Sequence, residues 1–225
     1  TIGGRLIIES TFGNDINFSN SAITGVLNVK GQVIHNGTGA LRFCSSSTTT
    51  NMTMNIDSSM SITNTGNFTF NATNNASYTG ILRIKGDLTV ASGANLTNAS
   101  TAKNGIIVFN GIGDGSTPDL TQVINISATN ATRNQYINFN VGNGAYVQLG
   151  DDLELGNSAK VTDSTGGTFD FGFNGSTPLI VTTYSSGAGF ESRQGSTLKI
   201  TSPDGLYDEW DRAAYTAAGV TVNTG

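Results

Sequence analysis

The stretch Ile23-Thr-Gly-Val-Leu-Asn-Val-Lys-Gly31 returns as Tyr78-Thr-Gly-Ile-Leu-Arg-Ile-Lys-Gly86. In both copies apolar residues recur at every second position, which is the period of a β-strand. Glycine holds the same two places in each. A strand–glycine–strand unit that recurs marks a protein built by repetition, and repetition predicts displayed surface more than one enclosed catalytic pocket.

The pattern extends outward from these copies. Gly13-Asn-Asp-Ile-Asn-Phe18 precedes the first and Gly66-Asn-Phe-Thr-Phe70 the second. Gly86-Asp-Leu-Thr-Val-Ala-Ser-Gly-Ala-Asn-Leu96 follows, and Gly150-Asp-Asp-Leu-Glu-Leu-Gly-Asn-Ser-Ala-Lys-Val161 is a looser version. Each couples an alternating strand to a turn of Gly, Asn, Ser or Asp, residues that tolerate positive φ or bond their own backbone. The copies differ in length, as in a stack of rungs with variable loops. Asn104-Gly-Ile-Ile-Val-Phe-Asn110, Gly167-Thr-Phe-Asp-Phe-Gly172 and Thr197-Leu-Lys-Ile200 read as further rungs, and Gly113-Asp-Gly-Ser-Thr-Pro-Asp119 as a loop leaving the rod.

Composition narrows the class. The 225 residues include 29 Gly and 3 Pro, and 12% are charged, against about 25% in average domains. A net charge of −5 with persistent Ile, Val, Leu and Phe argues against disorder. One stretch, Tyr207 to Ala218 before Gly219, reads as a helix. The rest predicts an all-β chain rich in Thr, Ser and Asn. Asn36-Gly37 and Asn174-Gly175 suit tight hairpins, but most linkers do not. The pattern therefore predicts a right-handed parallel β-helix, with a β-sandwich as the alternative. Thr, Ser and Asn ladders belong outside such a helix and aliphatic ladders inside. At about 22 residues per coil, about ten coils would span roughly 50 Å. No linker divides the chain, so residues 1–225 read as one solenoid domain, a processed or excised part of a longer chain with the helical insertion at 207–218.

The single Cys44 excludes an intramolecular disulfide, and its thiol is expected to be buried and inert. The negative balance argues against nucleic acid. No apolar run of about 18 residues marks a transmembrane helix.

The later rungs carry a resemblance. Gly86-Asp-Leu-Thr-Val-Ala-Ser-Gly-Ala-Asn-Leu-Thr97 resembles the rungs of very large secreted repeat adhesins of Bacteroidota. Phe169-Asp-Phe-Gly172, Gly187-Ala-Gly-Phe190 and Gly195-Ser-Thr-Leu-Lys-Ile-Thr-Ser-Pro-Asp-Gly205 are similar to a recurring module near the C-terminal part of those proteins. The resemblance implies an extracellular, cell-surface β-helical stalk or adhesin. Its expected partners are a host or abiotic surface, including glycans. The segment 206–218 departs from the short turn expected there.

Candidate chemistry is sparse, and no catalytic residue, cofactor or metal site is assigned. The one histidine, His35, reads as a turn or surface residue with no partner beside it. Asp151, Asp152 and Glu154, or Asp114 with Asp119, read as turn acids more than as cation ligands. Asp204, Asp208, Glu209 and Asp211 form the densest acidic group, suited to a helix N-terminus. Tyr207 and Trp210 are the candidate binding residues, able to stack on a sugar face or anchor a protein partner. Asn-x-Ser/Thr sequons, among them Asn67, Asn71, Asn95 and Asn98, keep open a glycosylated filament subunit that self-associates by strand exchange. A carbohydrate-active β-helix enzyme is a further alternative. Thr48-Thr-Thr50, Thr53 and Thr69 hint at a flat ice-binding face, but not at a regular ladder.

Overall fold

The computed structural model describes residues 1–9, 13–18, 24–44, 51–73, 77–99, 101, 105–111, 121–127, 134–174, 177–179, 181–183 and 188–200. Their strands stack as the coils of a right-handed parallel β-helix. One face is an eight-rung sheet: Leu6–Ile8, Val33–His35, Met60–Ile62, Leu88–Val90, Thr121–Ile126, Tyr146–Leu149, Thr168–Asp170 and Thr197–Lys199. A second face has seven rungs: Gly25–Val29, Asn51–Ile56, Thr79–Ile84, Gly105–Phe109, Ile137–Val141, Lys160–Asp163 and Gly189–Ser192. A third face holds four: Ile16–Asn17, Ala40–Cys44, Asn67–Asn71 and Asn95–Thr97. Further along the rod Leu153–Leu155 pairs in parallel with Val181–Thr183. The antiparallel pair among the described strands is Phe173–Asn174 with Thr177–Pro178, so a hairpin lies close to Asn174-Gly175 as expected, but Asn174 pairs with Thr177 in the strand and is not a turn residue. Asn36-Gly37 instead lies between a first-face and a third-face strand.

The coil is longer than the sequence pattern suggests. Leu6 pairs with Val33, Val33 with Met60, and Met60 with Leu88. One coil there takes 27 or 28 positions of the chain, the separation of the stacked pairs Asn28–Asn55 and Asn67–Asn95. Leu88 meets Ile124 only after 36. A spacing as short as expected occurs from Tyr146 to Thr168. Eight rungs at the inter-strand spacing give a rod of about 35 Å, shorter than the length expected from ten coils. The repeat that carries Ile23–Gly31 into Tyr78–Gly86 therefore spans two coils: Gly25 pairs with Met52, and Met52 with Gly80. Steric room explains the glycines. A Cβ on Gly25 would stand 2.7 Å from Met52 Sδ, and one on Gly80 would stand 3.0 Å from the Phe43 ring.

What recurs at shorter range is a corner. Ala94, Ala145, Ala159, Gly167 and Ser196 each donate a backbone N–H to the carbonyl three residues back. The residue just before each of them has positive φ: Gly93, Gly144, Ser158, Gly166 and Gly195. That is the type II turn, which favours glycine at its third position. The same corner opens strands on all three faces, starting at Asn95, Tyr146, Lys160, Thr168 and Thr197.

Parallel registry stacks like on like. Inward columns such as Val29–Ile56–Ile84–Phe109–Val141 are buried throughout. Phe43, Phe68 and Phe70 pack edge to face at 4.9–5.7 Å beneath the third face. A second cluster, Phe169, Phe171 and Phe190, fills the later coils. Outward, Asn55 donates to Asn28, Asn95 to Asn67, and the Thr69 and Thr97 hydroxyls share a hydrogen bond. These are the expected inside and outside ladders. Buried Gln122 ties adjacent coils: its amide nitrogen donates to the carbonyls of Ile84 and Gly86, and its oxygen accepts from Gly111 N–H.

The helix expected at 207–218 and the loop at 113–119 lie outside the described residues, as does the side chain of Cys44. No described residue is helical.

Two substitutions measure what holds the stack. Phe43→Ala opens a cavity among three rings and is expected to cost about 3–5 kcal/mol. Gln122→Leu keeps the volume but orphans an N–H and two carbonyls, for about 2–4 kcal/mol. Urea unfolding reads both. A Gln122→Leu loss under about 1 kcal/mol would show that water replaces the amide.

Candidate functional site

The parallel register places four polar arrangements on or in the rod. Two are polar residues standing in otherwise apolar inward columns. The column of Ile8, Ile62, Val90 and Ile126 is broken by His35. Its imidazole is buried, correcting the expectation of a surface or turn histidine. Nε2–H donates to Gly39 O at 2.9 Å and Nδ1 has no partner. Burial lowers its pKa, so it is held neutral. The period-2 pattern Val33-Ile-His35 carried this signal: inward Val33 sets inward His35.

Asp163 breaks the column of Val29, Ile56, Ile84, Phe109 and Val141 in the same way. It is fully buried, and neither carboxyl oxygen makes a well-formed hydrogen bond. Burial pushes its pKa up to about 7; the nearby Ser196 hydroxyl and Phe169 N–H offset only part of that.

The third arrangement lies outside the first face. Asp170 has a fully buried side chain although it points away from the core. Its Oδ2 accepts from Tyr146 OH at 2.5 Å, Lys199 Nζ at 2.8 Å and Gln148 Nε2 at 3.0 Å. Its Oδ1 accepts from Gly172 N–H. Lys199 also donates to Tyr146 OH and stands 5.6 Å over its ring. Asp170, with Tyr146 behind it, raises the Lys199 pKa, and burial followed by Asp170 raises that of Tyr146. Both hold their protons more firmly than usual, the reverse of what a general base or nucleophile needs. The group is an ion-pair cap over three rungs, and nothing in the local sequence brought Tyr146, Asp170 and Lys199 together. A simpler stack, Lys30–Asp57–Lys85, alternates charge along three coils and lowers the Asp57 pKa to about 2.

The fourth is a groove of about 300 Å³ on the third face, lined by Arg42, Thr69, Asn71, Thr97, Asn98 and Gln135 together with two alanines. The sequence singled out Thr69 only for a Thr ladder, and Asn71 and Asn98 only as sequons. Both asparagines are buried, so a glycan has no access to either side chain in this fold.

The other expected sites resolve plainly. Asp151 accepts hydrogen bonds from Ser127 Oγ and the Asp152 N–H, as a turn acid does. Among the described residues no three His, Cys, Asp or Glu side chains gather as for a metal ion. Tyr207, Trp210, Asp204, Asp208, Glu209, Asp211, Asp114, Asp119 and Thr48–Thr50 lie outside the described residues. No described helix is long and apolar enough to cross a membrane. Comparison with known protein families, curated proteins and solved structures returns no match.

Asp163 has a pH signature. Its folded pKa lies above the ordinary value of 3.8, so the folded chain keeps a proton that the unfolded chain releases. The contribution is intact below about pH 4 and lost as pH rises through about 7, up to about 4 kcal/mol in all. His35 acts on the other flank, losing its contribution as pH falls below about 6.5. Asp163→Asn should therefore gain stability over the wild type between pH 5 and 8, and match it near pH 4. Equal pH profiles of melting temperature for the two proteins would refute a protonated Asp163.

Proposed function

We propose that the chain is a stretch of an extracellular, cell-surface stalk: a rigid β-helical rod that presents or mediates adhesion to a host or abiotic surface. One observation carries this reading. The rungs form one hydrogen-bonded stack whose core columns run from coil to coil, while its outer faces are mostly hydroxyl and amide ladders. Such a body resists bending and offers a long, weakly charged flank. The rung wording at 86–97 and 169–205, which resembles that of large secreted repeat adhesins of Bacteroidota, supports the same assignment. Tyr146 and Lys199 hold their protons firmly, which suits a structural cap better than a catalytic pair.

A filament is the second reading, by pairing of an open rung with a rung of a second copy. Leu6–Ile8, Ile16–Asn17 and Gly25–Val29 are each the terminal strand of their sheet. Leu6, Ile16 and Leu27 are only partly buried, although their columns are fully buried one coil later at Val33, Leu41 and Met54. An edge of this kind accepts another rung, from the same chain or a second copy.

Electron microscopy with sedimentation across a concentration series separates the two. The stalk reading expects unbranched rods whose sedimentation is independent of concentration. Regular fibres with a subunit repeat would move the assignment to a self-assembling filament. Release of new reducing ends from plant or host polysaccharides would overturn both in favour of an enzyme.

A further inference from the structure

We propose that the third-face groove binds an acidic oligosaccharide, with Arg42 taking a sugar carboxylate and the Thr69–Thr97 pair taking ring hydroxyls. The inference supplies a ligand class for the adhesive reading above and rests on it for its biological role.

Placement comes from the register. Asn17 pairs with Arg42, Arg42 with Thr69, and Thr69 with Thr97, so an amide, a guanidinium and two hydroxyls stand in one outward column. Successive members are about 4.8 Å apart, the spacing of the ladder. A pyranose chain laid along the rod would run along this column, its hydroxyls and carboxylates meeting the polar side chains. Among the described residues the third-face sheet runs from Ile16–Asn17 to Asn95–Thr97, and Gln135 lines the groove beside Thr97 and Asn98. The groove is thus a trough on a rigid sheet, with its polar groups fixed before a ligand arrives.

The cation is held in place. Asp15 Oδ1 accepts the Ala40 N–H at 2.8 Å, and Asp15 Oδ2 takes Arg42 Nη1 at 2.7 Å. A guanidinium carries five N–H donors in a plane, so one bond to Asp15 positions the group without exhausting it. Planar paired donors match a carboxylate. Thr69 and Thr97 bond one another at 2.9 Å. Either hydroxyl can donate to the other; Thr69 is largely buried, so Thr97 is the member of the pair that can meet a sugar oxygen.

Other ligand classes fit less well. An apolar ligand would meet hydroxyls, amides and a guanidinium across the lining. Nucleic acid would find no aromatic side chain in the lining on which a base could stack. A neutral glycan would offer Arg42 hydroxyls alone and forgo the charge-assisted paired bond.

The test is calorimetric titration of the whole chain with an oligogalacturonate of five or six sugars, beside a neutral β-1,4-linked oligosaccharide of the same length. The acidic sugar is expected to bind, more weakly as salt rises, with the neutral one at least 10-fold weaker. Arg42→Gln should weaken the acidic sugar about 10-fold or more, and the double variant Thr69→Val with Thr97→Val several-fold. The double variant removes both partners of one hydrogen bond and so spares the fold. Gln135→Ala, at the rim, gives a third reading if Arg42→Gln unfolds. Equal affinity for the two sugars, no binding of either, or full affinity in all three variants would overturn the proposal. Adhesion measured on the same variants keeps the two readings apart: a rod that still adheres after Arg42→Gln has lost the groove's role, while its adhesive reading stands.

Discussion

The parallel ladder between successive coils is the constraint on which everything else in this protein depends. Each rung hydrogen-bonds the rung before it in register, so a residue's chemistry is repeated or opposed directly above and below. Aliphatic positions become continuous columns, as from Val29 to Val141. Asparagine and threonine positions become external ladders. The same rule magnifies errors, because one misplaced group disturbs two neighbours. Glycines at 25 and 80 relieve that pressure where Met52 and the Phe43 ring need the volume.

Registry also explains where the ionisable groups sit. On the outside, charge alternates from coil to coil through Lys30, Asp57 and Lys85, since like charges stacked at the ladder spacing would repel. Inside, Asp163 and His35 interrupt apolar columns and are kept uncharged by burial. Their responses to pH oppose one another: Asp163 loses its contribution as pH rises towards about 7, and His35 as pH falls below its ordinary pKa. Asp170 is the intermediate case. It points outward yet is buried, because Tyr146, Gln148 and Lys199 from rungs on either side close over it.

Much of the fold was legible. Alternation in Ile23–Gly31 and Tyr78–Gly86, and the corner wording Ser-Gly-Ala-Asn-Leu and Asn-Ser-Ala-Lys-Val, predict parallel rungs joined by glycine turns, and the rungs are there. Coil length was not legible, because the sequence repeats in two ways at once. Glycine and aromatic volume recur over two coils, whereas the corner recurs at whichever vertex needs a type II turn. Neither period is that of one coil, so the short spacing expected matched a single turn of the stack, from Tyr146 to Thr168.

The candidate site was less legible for the same reason. Arg42, Thr69 and Thr97 are each a whole coil apart along the chain, and only the register makes them neighbours. Read locally, Arg42 is a lone cation in a strand and Thr69 one threonine among many. Read across coils, they line one trough. In a solenoid, function is therefore encoded perpendicular to the chain. The coil length is needed before any ligand-binding column can be seen, and it changes along the rod, as between Leu88 and Ile124. Among the described residues the third-face sheet carries four such rungs, Ile16–Asn17 to Asn95–Thr97. The irregularity that hides the period thus hides the groove with it.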